Sequence, residues 1–338
     1  MRQIVFSRYG APEVLTAREA PSRSAGVGEV RIAVRAAGVN FADVLARVGL
    51  YPDAPKPPLV VGYEVAGTVE EVGPAVTRFA TGDRVVALTR FGGYASEVVV
   101  PAAYVFPFHA DLSDAEAAAL PVNYLTALIA LYKMANIVAG ETVLIHGAGG
   151  GVGIAAIQLA RLRRATVIGA ASASKHPTLR SLGVDHLVDY RTTDVAREVK
   201  RITANRGVDV VLDPVGGESF ATSYRLLAPL GRLVMFGVSS MSRGERRNWL
   251  HAARAILKMP RFKPLSLINH NRGIFGLNLA HLWDERGQLA AAMQFLLDEV
   301  GANRLMPVIA KTFPLERADD AHRYMQGRGN IGKIVLTV

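Results

Sequence analysis

The sequence predicts an α/β chain in which a doubly wound parallel sheet is joined to a discontinuous domain of short, mainly antiparallel strands. Three observations carry this. From about residue 136 apolar strand-like runs alternate with helical runs, the pattern of a parallel sheet covered on both faces. The first third instead reads as closely spaced, half-buried strands. The chain then closes with "PVIAKTFPL" and "GKIVLTV", two strand patterns that return to the first domain. The expected division is 1–122 with 276–338 for the barrel-like domain, and 123–275 for the parallel sheet.

Within the first domain, "EVRIAVRAAGVN" and "GYEVAGTVEEVG" alternate as strands with one buried face, and "GDRVVAL" and "YASEVVVP" follow closely. Ser113 precedes Glu116 by three residues, the spacing of a capping box, so a helix starts there. Pro121 interrupts that helical run. In the second domain the strands are "TVLIHG", "ATVIGAA", "HLVDY", "VDVVLDPVGG", "GRLVMFGVSS" and "GIFGLNL". The helices between them include "VGIAAIQLARLRR" and "SKHPTLRSLG", the second closed by Gly183. A long amphipathic helix, "DERGQLAAAMQFLLDEVG", and a shorter one near Ala318–Gln326 belong to the C-terminal return.

The 338 residues, half of them hydrophobic and 20% charged, suffice for two well-packed cores. A net charge of +10 fits an anionic small ligand, a membrane surface or nucleic acid. No zinc finger, basic zipper or aromatic-glycine RNA motif is present, which sets nucleic acid aside. The chain has no cysteine, so disulfides, a thiolate nucleophile and any thiolate zinc site are excluded. "MRQIVFSRYG" enters a strand pattern directly, and no apolar run reaches the ~20 residues that span a bilayer. A cytoplasmic location is the expectation.

The strongest motif is Ala148-x-Gly150-x-x-Gly153, with Gly151 and Val152 between, set between a buried strand and a helix. Such a loop gives a tight turn, close approach of a diphosphate and close helix–sheet packing, while the helix N-terminus offers free amides. Cofactor choice follows from the next strand end. An NAD enzyme carries Asp or Glu there to bond the ribose hydroxyls. Residues 169–175 hold no acid, whereas Ser172 and Lys175 suit a 2′-phosphate, and Tyr190 can flank the adenine. NADPH is therefore the expected cofactor.

With "AAGVNFADVLARVGLYP", "GYEVAGTVEEVG", "NYLTAL", "AGGGVG", "SASKH", "DPVGG" and "GKIVL", the chain resembles the zinc-free quinone oxidoreductase branch of the medium-chain dehydrogenase/reductase superfamily. Within it, "LPVNYLTAL" and "DPVGG" look most like the VAT-1 homologue group. The resemblance implies a Rossmann domain, a discontinuous GroES-like β-barrel catalytic domain and a homodimer joined through "GIFGLNL". It also implies a small apolar conjugated carbonyl as substrate. Tyr51 is then the candidate donor to the substrate oxygen, Asn40 positions substrate or ribose, and Asp43 holds the loop. Bacterial quinone reductases of this branch carry a second tyrosine where this chain has Leu45, which implies a more apolar pocket. Thr126 matches a threonine facing the nicotinamide ribose; read by itself it is a helix threonine bonding its own backbone. Phe236, Gly237, Val238, Leu277 and Asn278 match backbone contacts to the nicotinamide end. Arg328 and Asn330 match a segment that reaches the cofactor. His146 reads as structural.

Two alternatives stay open. One is reduction of an enone or alkenal double bond in the same site; the other is a nucleotide-binding, membrane-associated regulatory protein with little turnover. The segment 242–267 mixes Trp249, Leu250, Ile256, Leu257 and Phe262 with many basic residues. It reads as a lid over an apolar pocket or as a membrane-facing surface.

Related zinc enzymes place a histidine in a "GHE" motif where this chain has Tyr63. Without that histidine and without cysteine, no zinc set remains. Reductase activity is expected to survive chelators, and elemental analysis to find well below one zinc per chain. One bound zinc per chain would supply a Lewis acid and overturn this reading.

Overall fold

The computed structural model describes residues 1–242 and 244–338. Strand β1 (Arg2–Val5) pairs antiparallel with β2 (Thr16–Glu19). In β3 (Glu29–Val39), Val30, Ile32 and Val34 are buried, as the alternation in sequence requires. Helix α1 (Phe41–Arg47) precedes β4 (Glu64–Val72), β5 (Arg84–Leu88), β6 (Glu97–Pro101) and β7 (Val105–Pro107). Helix α2 (Asp114–Ala118) starts at the expected capping box: Glu116 N donates to Ser113 Oγ at 3.2 Å, and Ser113 N to Glu116 Oε2 at 2.9 Å. Pro121 does not kink a helix. It opens α3 (Pro121–Leu128), where a missing N–H costs no intrahelical bond.

Strand and helix then alternate: β8 (Thr142–His146), α4 (Gly151–Leu162), β9 (Thr166–Ala170), α5 (His176–Ser181), β10 (His186–Val188), α6 (Val195–Ile202) and β11 (Val208–Asp213). They continue through α7 (Glu218–Arg225), β12 (Leu227–Met235), α8 (Trp249–Leu257), α9 (Pro264–His270) and β13 (Gly273–Gly276). The C-terminal return is α10 (Arg286–Gly301), β14 (Ile309–Pro314), α11 (Ala318–Gln326) and β15 (Lys333–Thr337). Helices α8 and α9 are separate elements, with residues 258–263 between them. The "GIFGLNL" strand stops at Gly276.

Two compact units result: Met1–Leu125 with Arg243–Arg247 and Ala280–Val338, and Thr126–Ser242 with Asn248–Leu279. In the second, the order is β10-β9-β8-β11-β12-β13 and every neighbouring pair is parallel, the doubly wound Rossmann arrangement. Leu144, Ile168, Val211 and Leu233 form its core; burying each such side chain contributes about 1.5–3 kcal/mol. The first unit is GroES-like. Its sheet runs β14-β15-β3-β4-β5-β7, with β6 also on β3; β14 and β15 are parallel and the other pairs antiparallel. Ile334 of β15 lies opposite Val39 of β3, so the chain's last strand completes a sheet that β3 begins far earlier in the chain.

That closure is held by a buried ion pair. Glu64, at the start of β4, is fully buried and bonded to Lys333 Nζ at the start of β15. Asn40 Nδ2 donates to Glu64 Oε1 at 2.9 Å, Lys333 Nζ donates to Asn40 Oδ1 at 2.6 Å, and Val122 N of α3 donates to Glu64 Oε2 at 2.6 Å. Removing one charge leaves the other buried and unpaired, which costs about 3–5 kcal/mol. Lys333→Met is therefore expected to lose that much stability in urea unfolding. The double variant Glu64→Gln/Lys333→Met should recover a large part of it.

Candidate active site and nucleotide loop

The loop after β8 carries the dinucleotide motif. Gly147 turns the chain at φ +64°, and Ala148 is fully buried behind it. A Cβ on Gly153 would stand 2.5 Å from Gly147 O and 2.6 Å from Ala148 O, so only glycine lets α4 pack this closely on the loop. Gly150 caps α4, whose first intrahelical bond is Ile154 N to Gly150 O at 2.9 Å. The amides of Gly151, Val152 and Gly153 thus lie in the first turn, at the positive end of a 12-residue helix. Lys175 folds over this loop: a Cβ added to Gly149 would meet its Cδ at 2.6 Å and its Nζ at 3.4 Å. Open amides beneath an ammonium group fit a diphosphate-bearing dinucleotide.

Ser172 is buried, with its Oγ 3.4 Å from Ser174 Oγ. Tyr190 lies exposed after β10. Asp189 lies beside it. Its carboxyl is held below the usual range first by the Arg191 amide, then by Thr192, His176 and the Ala173 amide. Asp189 is thereby occupied with its own turn.

The strand ends assemble the other second-unit residues. Phe236, Gly237 and Val238 follow β12, with Phe236 N donating to Asp213 O at 3.2 Å. Leu277 N donates to Met235 O at 2.8 Å after β13, and Asn278 beside it is exposed. These segments and the glycine loop share the carboxyl ends of one parallel sheet, where such folds bind ligands. Thr126 is buried in α3. Arg328 and Asn330 belong to the first unit; Arg328 is exposed at φ +57°, and Asn330 Nδ2 donates to Gly332 O at 3.0 Å.

His146 sits in a buried polar knot. Its Nε2 is 3.1 Å from Ser223 Oγ, which donates to Asp213 Oδ2 at 2.6 Å, as does Ser219 Oγ. Because Ser223 stands between acid and imidazole, Asp213 does not polarise the ring as in a hydrolytic triad. Burial holds the histidine below its usual range. The knot ties β8, β11 and α7 together.

In the first unit, Asn40 and Asp43 bracket the start of α1. Asp43 accepts from Asn40 N at 2.8 Å, from Gly62 N at 2.9 Å and from Tyr94 Oη at 3.1 Å. Full burial pushes its carboxyl up to about 7, against the pull of these donors. Asn40, expected to position substrate or ribose, has its amide and carbonyl engaged with Glu64 and Lys333. A buried chain of donors runs from Arg47 Nε to His322 Nδ1 at 3.2 Å, and from His322 Nε2 to Tyr94 Oη at 3.2 Å. The sequence offered no pattern for it, since Arg47 and His322 are 275 residues apart.

Tyr51 is half-buried and meets the edge of Tyr63, with ring centroids 6.2 Å apart and planes at 82°. Tyr63 in turn packs on Phe91 at 5.1 Å. Leu45 is buried on α1, an apolar side chain at the position noted above. The donor set does not fit zinc. Tyr63 replaces the histidine, Glu64 is committed to Lys333, and no group of three His, Cys, Asp or Glu could hold a metal among the described residues.

Helices α8 and α9 leave Trp249, Leu250, Ile256, Leu257, Leu265 and Ile268 exposed. Arg243, in the segment expected to form a lid or membrane surface, lies outside the described residues. Among the described residues no helix is long and apolar enough to cross a membrane.

Residues 26–110 match the alcohol dehydrogenase GroES-like domain, and residues 182–336 match the zinc-binding dehydrogenase family. The synaptic vesicle membrane protein VAT-1 homolog of Danio rerio is 40% identical, over 99% of this chain and 70% of that protein. A 2-haloacrylate reductase of Burkholderia sp is 37% identical, over 98% and 97%. Among solved structures, the human VAT-1 homolog-like protein has a TM-score of 0.87 at 34% identity, covering 100% of this chain and 98% of that one. Escherichia coli quinone oxidoreductase, solved complexed with NADPH, has a TM-score of 0.88 at 30% identity, with 100% of both chains covered. With its GroES-like and Rossmann units, the chain belongs to the medium-chain dehydrogenase/reductase superfamily, as an oxidoreductase close to the VAT-1 homologues.

Proposed function

We propose that this protein uses NADPH to reduce a quinone or another small, apolar, conjugated carbonyl compound, without zinc. The observation that carries the reading is Lys175 drawn over Gly149, on a loop with open first-turn amides and no acid in residues 169–175. A carboxylate there would repel a 2′-phosphate; Ser172 and Lys175 offer it a hydroxyl and a counter-charge. When bound, NADPH supplies a hydride from the nicotinamide ring.

The chain's own residues do the rest. Amides of Gly151 to Gly153 and the α4 dipole hold the diphosphate. Tyr190 flanks the adenine, while Thr126, backbone groups of Phe236 to Val238 and of Leu277 and Asn278, and the Arg328–Asn330 segment hold the nicotinamide end. Tyr51 donates to the substrate oxygen as negative charge builds there. Asn40 and Asp43 fix the start of α1, and Asp43 also holds Gly62, next to Tyr63 in the lead into β4. A homodimer joined through β13 belongs to the same proposal: β13 is the edge of its sheet, beside an open depression lined by Leu230, Leu267 and Ile268. Reduction of an enone double bond is the second reading, and the likeness to 2-haloacrylate reductase favours it. Hydride would then go to the β-carbon and a proton to the α-carbon.

NADPH oxidation assays with quinones beside enones and enals separate these readings. No turnover across that panel, with NADPH binding intact, would instead favour a membrane-associated role, which exposed Trp249, Leu250 and Leu257 on α8, flanked by basic residues, support. Calorimetry is expected to show NADPH binding about tenfold or more tighter than NADH, the worth of one charge-assisted contact. Lys175→Ala should narrow that gap while NADH binding stays put; equal affinities in the wild type would sink the cofactor assignment. Tyr51→Phe should lower turnover on the order of 10²-fold with NADPH affinity intact. Unchanged rates on quinones and enones alike would make Tyr51 a turn residue only.

A further inference from the structure

We infer that Tyr63 is a second oxygen-binding group of this site: its phenol donates a hydrogen bond to the carbonyl oxygen of the substrate beside Tyr51, and its ring is a wall for a flat conjugated molecule. The inference rests on the reductase reading above and names a specificity-determining residue within it.

Four phenols are buried in the first unit: Tyr63, Tyr94, Tyr104 and Tyr124. Three are satisfied. Tyr94 meets Asp43 and His322, Tyr104 Oη donates to Trp283 O at 2.8 Å, and Tyr124 Oη donates to Met306 O at 3.0 Å. Tyr63, only 8% exposed, is the exception, because its hydroxyl has no hydrogen-bond partner among the described residues. Buried polar groups are almost always paired, and an unpaired one marks a place where a partner is missing.

Looseness does not explain the unpaired hydroxyl, because the residue is clamped on both sides. Gly62 N donates to Asp43 at 2.9 Å, and Gly62 O accepts from Thr89 Oγ1 at 2.8 Å. Tyr63 O accepts from Thr89 N at 2.8 Å, and Glu64 is locked to Lys333. The side chain is held between Phe91 and Tyr51. The neighbouring Tyr51 phenol opposes ionisation of Tyr63 through its charge and a weak side-chain contact, but nothing among the described residues meets the Tyr63 hydroxyl at the distance and angle of a full hydrogen bond. Burial pushes the Tyr63 phenol far above its usual range, so it keeps its proton and serves as a donor, never as a base. Phe91, Tyr63 and Tyr51 thus make an aromatic surface with one unspent donor, which suits an oxygen on a flat apolar ring. In the balance, NADPH gives the hydride, Tyr51 or water gives the proton, and Tyr63 gives only a hydrogen bond.

Tyr63→Phe removes the hydroxyl and keeps the ring. With 1,4-benzoquinone and cyclohex-2-enone as substrates, kcat/KM is expected to fall about tenfold or more, with NADPH affinity unchanged. The melting temperature should hold or rise, since no internal bond is lost; a structural hydroxyl would lower it. Hydroquinone binding, followed by calorimetry, should weaken in parallel. Wild-type kcat/KM in Tyr63→Phe, or a lowered melting temperature with weakened NADPH binding, would overturn the assignment. Measured beside Tyr51→Phe, the result separates the two claims. An active wild type impaired by Tyr51→Phe but not by Tyr63→Phe sinks only the Tyr63 inference. A wild type inert on both substrates sinks the reductase reading and this inference with it.

Discussion

The first unit depends on the Glu64–Lys333 pair. Taking two charges out of water is costly, and the pair is sustained only because its atoms are bonded further, to Asn40 and to the amide of Val122. Four distant pieces of chain meet there: the lead into α1, the start of β4, the start of α3 and the start of β15. Apolar packing alone would hold β15 against β3, yet it would tolerate neighbouring registers. A charge that must find its partner does not. The same cluster fixes the residues on either side of it, with Tyr63 adjoining Glu64 and Asp43 three residues beyond Asn40.

A second buried polar chain continues from this one. Arg47 is fully buried on α1 and spends its donors on His322, Gly10 O, Glu245 O and Gln326. Burial lowers its guanidinium only to about 10, so it stays charged, and together with burial it keeps His322 neutral. His322 accepts from Arg47 at Nδ1 and therefore donates from Nε2 to Tyr94, which donates to Asp43. The direction of the hydrogen bonds is set throughout. Against this economy the unspent hydroxyl of Tyr63 stands apart.

In the second unit the governing constraint is steric. Gly153 cannot carry a Cβ without striking two carbonyl oxygens, and that closeness brings the amino end of α4 to the end of β8. The Asp213–Ser223–His146 knot braces the same strand ends from below. The loop thus presents mainly backbone, with the Lys175 side chain of the next turn lying against Gly149.

The sequence by itself determined the order of elements, the parallel sheet, the glycine loop and the capping box at Ser113. Each of these is local: hydrophobic period, helix capping and the missing Cβ act within a few residues. The break at Pro121 is equally local: α2 ends ahead of it and α3 opens on it, where a missing N–H costs no intrahelical bond. Tertiary structure alone decided that Asn40 is spent on Glu64 and Lys333, that Arg47 reaches His322, and that Tyr63 is left without a partner. Those outcomes are sums over hydrogen bonds between residues dozens to hundreds of positions apart. Burial turns each such sum into a strict account of donors and acceptors, and no local pattern carries it.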